Sequence, residues 1–184
     1  MGIDPAYGSS SFGIVVVQFV DGQLQILHAE EYKRPDFNEM LQKVWDILVK
    51  YPVQKVIIGG ANPSFIKSLK INWGERPDYE NVKKEHYQYM KVEPVSFAKE
   101  HKAMLGHCKL LLEQGYIAIN PLFDRLITSL RTAVAEENLL DKESTSYSDI
   151  FDALRLALKS YKFVTRNIEE EDIRKKNKLN QRNA

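Results

Sequence analysis

One cysteine, Cys108, stands in 184 residues, so the chain has no internal disulfide and no cysteine-built zinc cluster. That scarcity fits a reducing compartment. No apolar run approaches the ~20 residues that span a bilayer, and the N-terminus lacks the charged-then-apolar shape of a secretory signal. An excess of one charge is also missing. The 26 Lys and Arg against 25 Asp and Glu leave a net +1, which excludes a generically basic nucleic-acid coat but allows a local basic groove. No G-x-x-x-x-G-K-[ST] phosphate loop occurs, so the chain carries no P-loop motor of its own. What is present is a hydrophobic content of 43%, enough for a real core. The expectation is a soluble, intracellular domain over residues 1–166, followed by a mixed-charge, disordered tail over 167–184.

The first forty residues are the most legible. Gly2-Ile3-Asp4 reads as a strand, followed by the turn-rich loop Pro5-Ala6-Tyr7-Gly8-Ser9-Ser10. A β-branched run over 12–20 meets the hairpin turn Asp21-Gly22, and 23–27 alternates polar and apolar residues. With only three residues ahead of Asp4, the opening suggests a piece excised from something longer. Asp36 and Glu39 fit a capping box for a helix whose face is Phe37, Met40, Leu41, Val44 and Leu48, closed by Pro52. Residues 53–58 form a short apolar strand. Asn62 and Pro63 then start another helix as N-cap and first residue.

Residues 71–89 are polar, aromatic-dotted and aperiodic, a surface excursion. A strand over 89–95, a helix over 99–114 stopped by Gly115, a strand over 116–119 and a helix over 123–137 follow. A hydrophilic connection over 137–147 leads to a Ser148-capped helix carrying Ile150, Phe151, Leu154, Leu156 and Leu158. Three antiparallel strands followed by right-handed crossovers onto parallel ones predict a mixed α/β sheet with helices on both faces.

Two acidic features carry chemistry. Asp4 sits where the first strand gives way to a loop, and Asp149 and Asp152 lie three apart at the start of the last helix. Carboxylates at strand ends and helix starts converge above the carboxyl edge of an α/β sheet. Hard divalent cations take such oxygens, and two of them about 4 Å apart suit phosphodiester cleavage. Taken singly, Asp149 also reads as a first-turn acid complementing the helix dipole, and Asp4 before Pro5 as a turn initiator.

The segment from Gly2 to Ser11, its hairpin, and Ser148-Asp149-Ile150-Phe151-Asp152-Ala153-Leu154-Arg155-Leu156-Ala157 together resemble the RNase H-like nuclease domain of viral DNA-packaging terminase large subunits. The closing pattern is also similar to the last helix of Holliday-junction resolvases. The resemblance covers most of residues 1–163. It implies an RNase H-like mixed five-stranded sheet and an endonuclease that cuts concatemeric double-stranded DNA during packaging. It further implies two Mg²⁺ or Mn²⁺ ions, with Asp4 as the bridging ligand and Asp149 and Asp152 completing the site. An ATPase motor, separate or fused N-terminally, and other packaging proteins are the implied partners, in the host cytoplasm and without a membrane. One departure from the family pattern stands out. The strand over 53–58 ends in Gly59-Gly60, where such domains carry a second acid. Glu30 and Glu31 lie two strands from the first, roughly 10 Å away at ~4.8 Å per strand, too far to replace it. Either the second acid is lost, or position 59 has been altered, or an acid enters from the excursion, with Asp78 and Glu80 as candidates.

Lys99, Lys102 and Lys109 on one predicted helix, and Arg125 and Arg131 on the next, are candidate phosphate contacts or ordinary solubilising surface. Lys142, just before the acidic helix, is the residue expected beside the scissile phosphate. Trp73, Tyr87 and Tyr89 offer faces for base stacking or anchors for the excursion. None of His28, His86, His101 and His107 has metal-pair spacing, and Cys108 reads as a core residue. Two other classes compete. An actin- or sugar-kinase-like ATPase also opens with Asp, a Gly/Ser loop and a hairpin, but this chain is too short for that duplicated architecture. A nuclease-fold module that grips DNA without cutting is the reading Gly59 favours.

Overall fold

The chain opens with three strands, Gly2–Asp4 (β1), Ser11–Val20 (β2) and Gln23–Lys33 (β3). The computed structural model describes residues 1–5, 11–71, 90–136 and 139–161. Asp21 and Gly22 turn the β2–β3 hairpin at φ of 49° and 82°, the left-handed geometry that an Asp-Gly pair supplies. Helix α1 (Phe37–Lys50) starts on the expected capping box, with Asp36 Oδ1 accepting from Glu39 N–H and Glu39 Oε2 from Asp36 N–H, both at 2.8 Å. After β4 (Lys55–Gly59), Asn62 Oδ1 accepts from Phe65 N–H at 3.1 Å and caps α2 (Pro63–Ile71). Then come β5 (Lys91–Val95), α3 (Phe97–Glu113) and β6 (Ile117–Ala118). Gly115 ends α3 with φ 69°. Helix α4 (Asp124–Thr132), the small hairpin β7 (Val134–Glu136) and β8 (Leu139–Asp141), and α5 (Ser148–Leu158) complete the described chain.

The main sheet runs β5-β4-β1-β2-β3-β6. β1 is antiparallel to β2 and parallel to β4, so the strand ending at Gly59 does adjoin the strand ending at Asp4. Each strand read from the sequence is there, and the one read over 116–119 is the two-residue β6 on the outer edge of β3, so the sheet has six strands where the resemblance implied five. Pro94 lies inside β5, which is tolerable because β5 is an edge and owes no hydrogen bond to an outer neighbour.

The apolar run of β2 is buried on both sides. Phe12, Ile14 and Val16 pack with Val44, Trp45 and Leu48 of α1 and Phe65 and Leu69 of α2. Val15 and Val17 face the opposite layer, with Cys108 of α3, Leu126 of α4, and Ile150, Ala153 and Leu154 of α5. Strand period two therefore splits one sequence stretch between two cores. Each fully buried Leu or Ile adds about 1.5–3 kcal/mol.

Helix α5 lies almost on the backbone of the sheet. A Cβ on Gly2 would fall 2.0 Å from the Ala153 carbonyl oxygen, and one on Gly13 would fall 2.2 Å from that of Asp149. Two glycines in the strands and two alanines, Ala153 and Ala157, in the helix make that approach possible.

Three expectations need correction. The helix expected over 123–137 stops at Thr132, whose hydroxyl turns back onto the Thr128 carbonyl at 3.0 Å. The hydrophilic connection over 137–147 contains β8, paired with β7. Ser148 is not the cap of α5 but its first residue; Tyr147 precedes it at φ 53°, and no local side chain caps the helix. Of the excursion, residues 72–89, with Trp73, Asp78, Glu80, His86, Tyr87 and Tyr89, lie outside the described residues, as do 162–184. Among the described residues no helix is long and apolar enough to cross a membrane.

Candidate metal centre

Asp4 ends β1, and its side chain keeps only 16% exposure. Because α5 rests on Gly2 and Gly13, its first turns deliver Asp149 and Asp152 to the same sheet edge. One carboxylate oxygen from each of Asp4, Asp149 and Asp152 falls within 4.8 Å of the others. The separation in sequence, 4 against 149 and 152, is closed by the fold. Asp149 is oriented from its far side, where Oδ2 accepts from the Ser11 N–H at 3.1 Å.

A cationic side chain sits among the three acids. Lys142 Nζ lies 2.6 Å from Asp152 Oδ2, 3.4 Å from Asp149 Oδ1 and 3.9 Å from Asp4 Oδ2. Sequence reasoning expected Lys142 at a DNA phosphate near the cut; here it touches the acids themselves. Its charge is spent on the carboxylates instead of being presented outward. On the other side of Asp152, the Arg155 guanidinium binds Oδ1 through Nη2.

The electrostatics follow from crowding. Burial, reinforced by the charges of Asp152 and Asp149, holds the Asp4 carboxyl well above the ordinary 3.8; Lys142 and Arg155 pull the other way. Burial works against the Lys142 ammonium, yet Asp152, Asp4 and Asp149 raise it from 10.5 to about 12. The pocket therefore favours positive charge. An all-oxygen, carboxylate donor set is one that suits a hard divalent cation, and the Lys142 ammonium lies among these oxygens.

The β4 end behaves as the sequence implied. A Cβ built on Gly59 would point at Asp4 Oδ1, 3.2 Å away, with Phe97 Cε2 at 3.2 Å and Pro5 Cδ at 3.3 Å. Position 59 thus faces the acid cluster, and its residue offers no ligand atom. Glu31 does not replace it. Its Oε2 accepts from the Ile150 N–H at 3.1 Å, 7% exposed, so a carboxylate from β3 caps α5 in place of Ser148. Burial, set against that hydrogen bond, raises the Glu31 carboxyl above its ordinary value.

Other candidates separate. Lys99 and Lys102 are exposed on α3, one turn apart. Lys109 pairs with Glu113 at 3.7 Å. Arg125 is a brace: Nη1 donates to the Glu31 carbonyl at 2.9 Å and the guanidinium lies 5.8 Å from the Tyr147 ring centre. His101 spends its Nε2 lone pair on the Leu140 N–H at 3.0 Å. Burial pushes the Cys108 thiol up to about 12, which leaves no nucleophilic thiolate near neutral pH. Sequence reasoning missed Glu31 as a cap and Arg155 as a partner of Asp152. For Arg155 a signal existed, since it is the one charge after Asp152 in the apolar run 150–158.

Residues 1–160 match a protein-family model described as the terminase RNaseH-like domain. No curated protein matches the chain. Among solved structures, the large-terminase (g2p) nuclease domain of bacteriophage SPP1 with bound Mn aligns with TM-score 0.61 and 16% identity, over 86% of this chain and 84% of that one. The large-terminase nuclease of the thermophilic phage G20c aligns with TM-score 0.63 and 16% identity, over 88% and 81%. A cobalt-bound form of the G20c nuclease gives 0.55 and 12%, over 85% and 90%. At such identities the likeness is one of fold.

Proposed function

This chain belongs to the terminase RNaseH-like domain family, and from that membership we propose that it is a Mg²⁺- or Mn²⁺-dependent endonuclease that cuts concatemeric double-stranded DNA during genome packaging. The observation that carries this reading is the meeting of Asp4, Asp149 and Asp152 within 4.8 Å at one sheet edge. Terminase nucleases of similar fold crystallised with bound Mn and with bound cobalt support divalent-ion binding.

In this reading Asp4, Asp149 and Asp152 would hold the ions, which would supply an activated water and charge neutralisation at the leaving oxygen. The chain's own residues do the rest. Ser11 N–H fixes the Asp149 carboxylate, leaving Oδ1 turned toward Lys142. Lys142 holds the three acids together, and with their charge met by an ion it would be free to reach a DNA phosphate. Lys99 and Lys102 extend the phosphate contacts along α3. An ATPase motor, fused N-terminally or separate, and other packaging proteins complete the machine, working in the cytoplasm of the infected host.

Gly59 favours a second reading, a nuclease-fold module that binds DNA without cutting it, because position 59 points at Asp4 and supplies no ligand. Nicking of supercoiled plasmid with Mn²⁺ separates the two. A cutting chain loses at least about 100-fold in rate on Asp4→Asn, beyond what loss of an outer-shell partner costs. A binder retards DNA in a gel, does not nick it, and gains activity on Gly59→Asp. Equal nicking by the parent and Asp4→Asn contradicts the assigned centre.

A further inference from the structure

Arg155 is fully buried, at 0% exposure, in a helix whose other residues from Ile150 to Leu158 are apolar except Asp152. Its guanidinium lies between two rings, 5.4 Å from the centres of Phe97 and of Phe151. Only Nη2 has a hydrogen-bond partner, Asp152 Oδ1; Nε and Nη1 find no acceptor among the described residues. A buried guanidinium with most of its donors unspent is a poor way to stabilise a core, where desolvation outweighs what one ion pair returns. Its position serves something else. Asp152, at 1% exposure, is the most buried member of the acid trio. Arg155 takes Oδ1 and leaves Oδ2 as the oxygen turned to the cluster centre, where Lys142 Nζ touches it at 2.6 Å.

We propose that Arg155 is a positioning residue: it holds the Asp152 carboxylate rotated so that Oδ2 faces the centre of the acid cluster. This rests on the reading of Asp4, Asp149 and Asp152 as the metal centre. The Phe97 and Phe151 rings hold the guanidinium plane, so the pair behaves as one rigid unit on α5. A fixed cation behind Asp152 differs from Lys142 in front of it. Lys142 is half-exposed and can withdraw, whereas Arg155 has nowhere to go.

The test is calorimetric titration of the metal-free chain with Mn²⁺, comparing the parent, Arg155→Met, Arg155→Lys and Asp4→Asn, with circular dichroism to verify folding. Arg155→Met is expected to weaken Mn²⁺ binding at least about tenfold, the usual cost of losing an outer-shell partner. Arg155→Lys keeps the charge without the planar fork and is expected to fall between Arg155→Met and the parent. If Arg155→Met does not fold, Arg155→Lys decides, since it preserves the ion pair. A folded variant of either kind that binds Mn²⁺ as tightly as the parent overturns the assignment, because a residue with a merely structural role would shift melting and leave affinity alone. A parent that takes up no Mn²⁺, or an Asp4→Asn variant that binds equally well, overturns the metal centre itself and this inference with it.

Discussion

Asp4 is a largely buried carboxylate that faces two others. Its folded-state pKa lies well above 3.8 because of burial and the facing Asp152 and Asp149. The folded protein therefore binds this proton more tightly than the unfolded chain does, and ionisation opposes folding above the folded pKa. That penalty disappears as pH falls through the folded value toward 3.8. Asp4→Asn, which cannot ionise, is expected to melt higher than the metal-free parent at pH 7, with a gap that closes on acidification. Each 1 kcal/mol corresponds to ~2–4 °C in a chain of this size. A gap that widens toward acid pH is the contrary result. Gly59→Asp sets a fourth carboxylate in the same place, 3.2 Å from Asp4 Oδ1 at its Cβ. Without metal it should melt a few degrees below the parent, on the order of 1–2 kcal/mol from like-charge repulsion. Millimolar Mn²⁺ should remove most of that deficit, as differential scanning fluorimetry would record.

At the scale of elements, α5 is the part that assembles the site, and its seating depends on residues outside it. Gly13→Ala would drive a methyl into the Asp149 carbonyl, where 2.2 Å is available. The helix must lift, at a cost of about 1–3 kcal/mol or more, and Mn²⁺ affinity should fall with it because Asp149 moves. Unchanged affinity in a folded Gly13→Ala chain would mean the helix seating is not what places the acid. Glu31→Ala removes the carboxylate that caps α5 from β3, with an expected loss of about 0.5–2 kcal/mol in chemical denaturation. These dependencies mark where the sequence is readable. The capping box at Asp36, the N-cap at Asn62 and the Asp21-Gly22 turn are local, each decided by neighbours three residues away or fewer, and each appears as expected. The start of α5 is not local. Ser148 had the right chemistry for a cap, but Glu31, 119 positions away from Ile150, holds the orphan N–H instead. Likewise the stretch after Thr132 pairs with β8, which no window of helical periodicity could anticipate.

At the scale of the whole molecule, Asp4 and the Asp149–Asp152 pair were legible from sequence as residue types at a strand end and a helix start. Their convergence required the parallel placement of β4 beside β1 and the crossing of α5 over Gly2 and Gly13. The two layers of core around β2 make that arrangement rigid before any ion arrives. Because a cation binds only the folded arrangement, saturating Mn²⁺ should raise the melting temperature, by about 2.7 kcal/mol of added stability at one hundred times Kd. That increment should be absent in Asp4→Asn. The most direct measurement is a crystal of the chain grown with Mn²⁺, with diffraction recorded at the manganese absorption edge. The account predicts an anomalous peak about 2.0–2.3 Å from oxygens of Asp4, Asp149 and Asp152, with Lys142 Nζ drawn away from its present place. Manganese bound elsewhere, with Lys142 still seated among the three carboxylates, would contradict it.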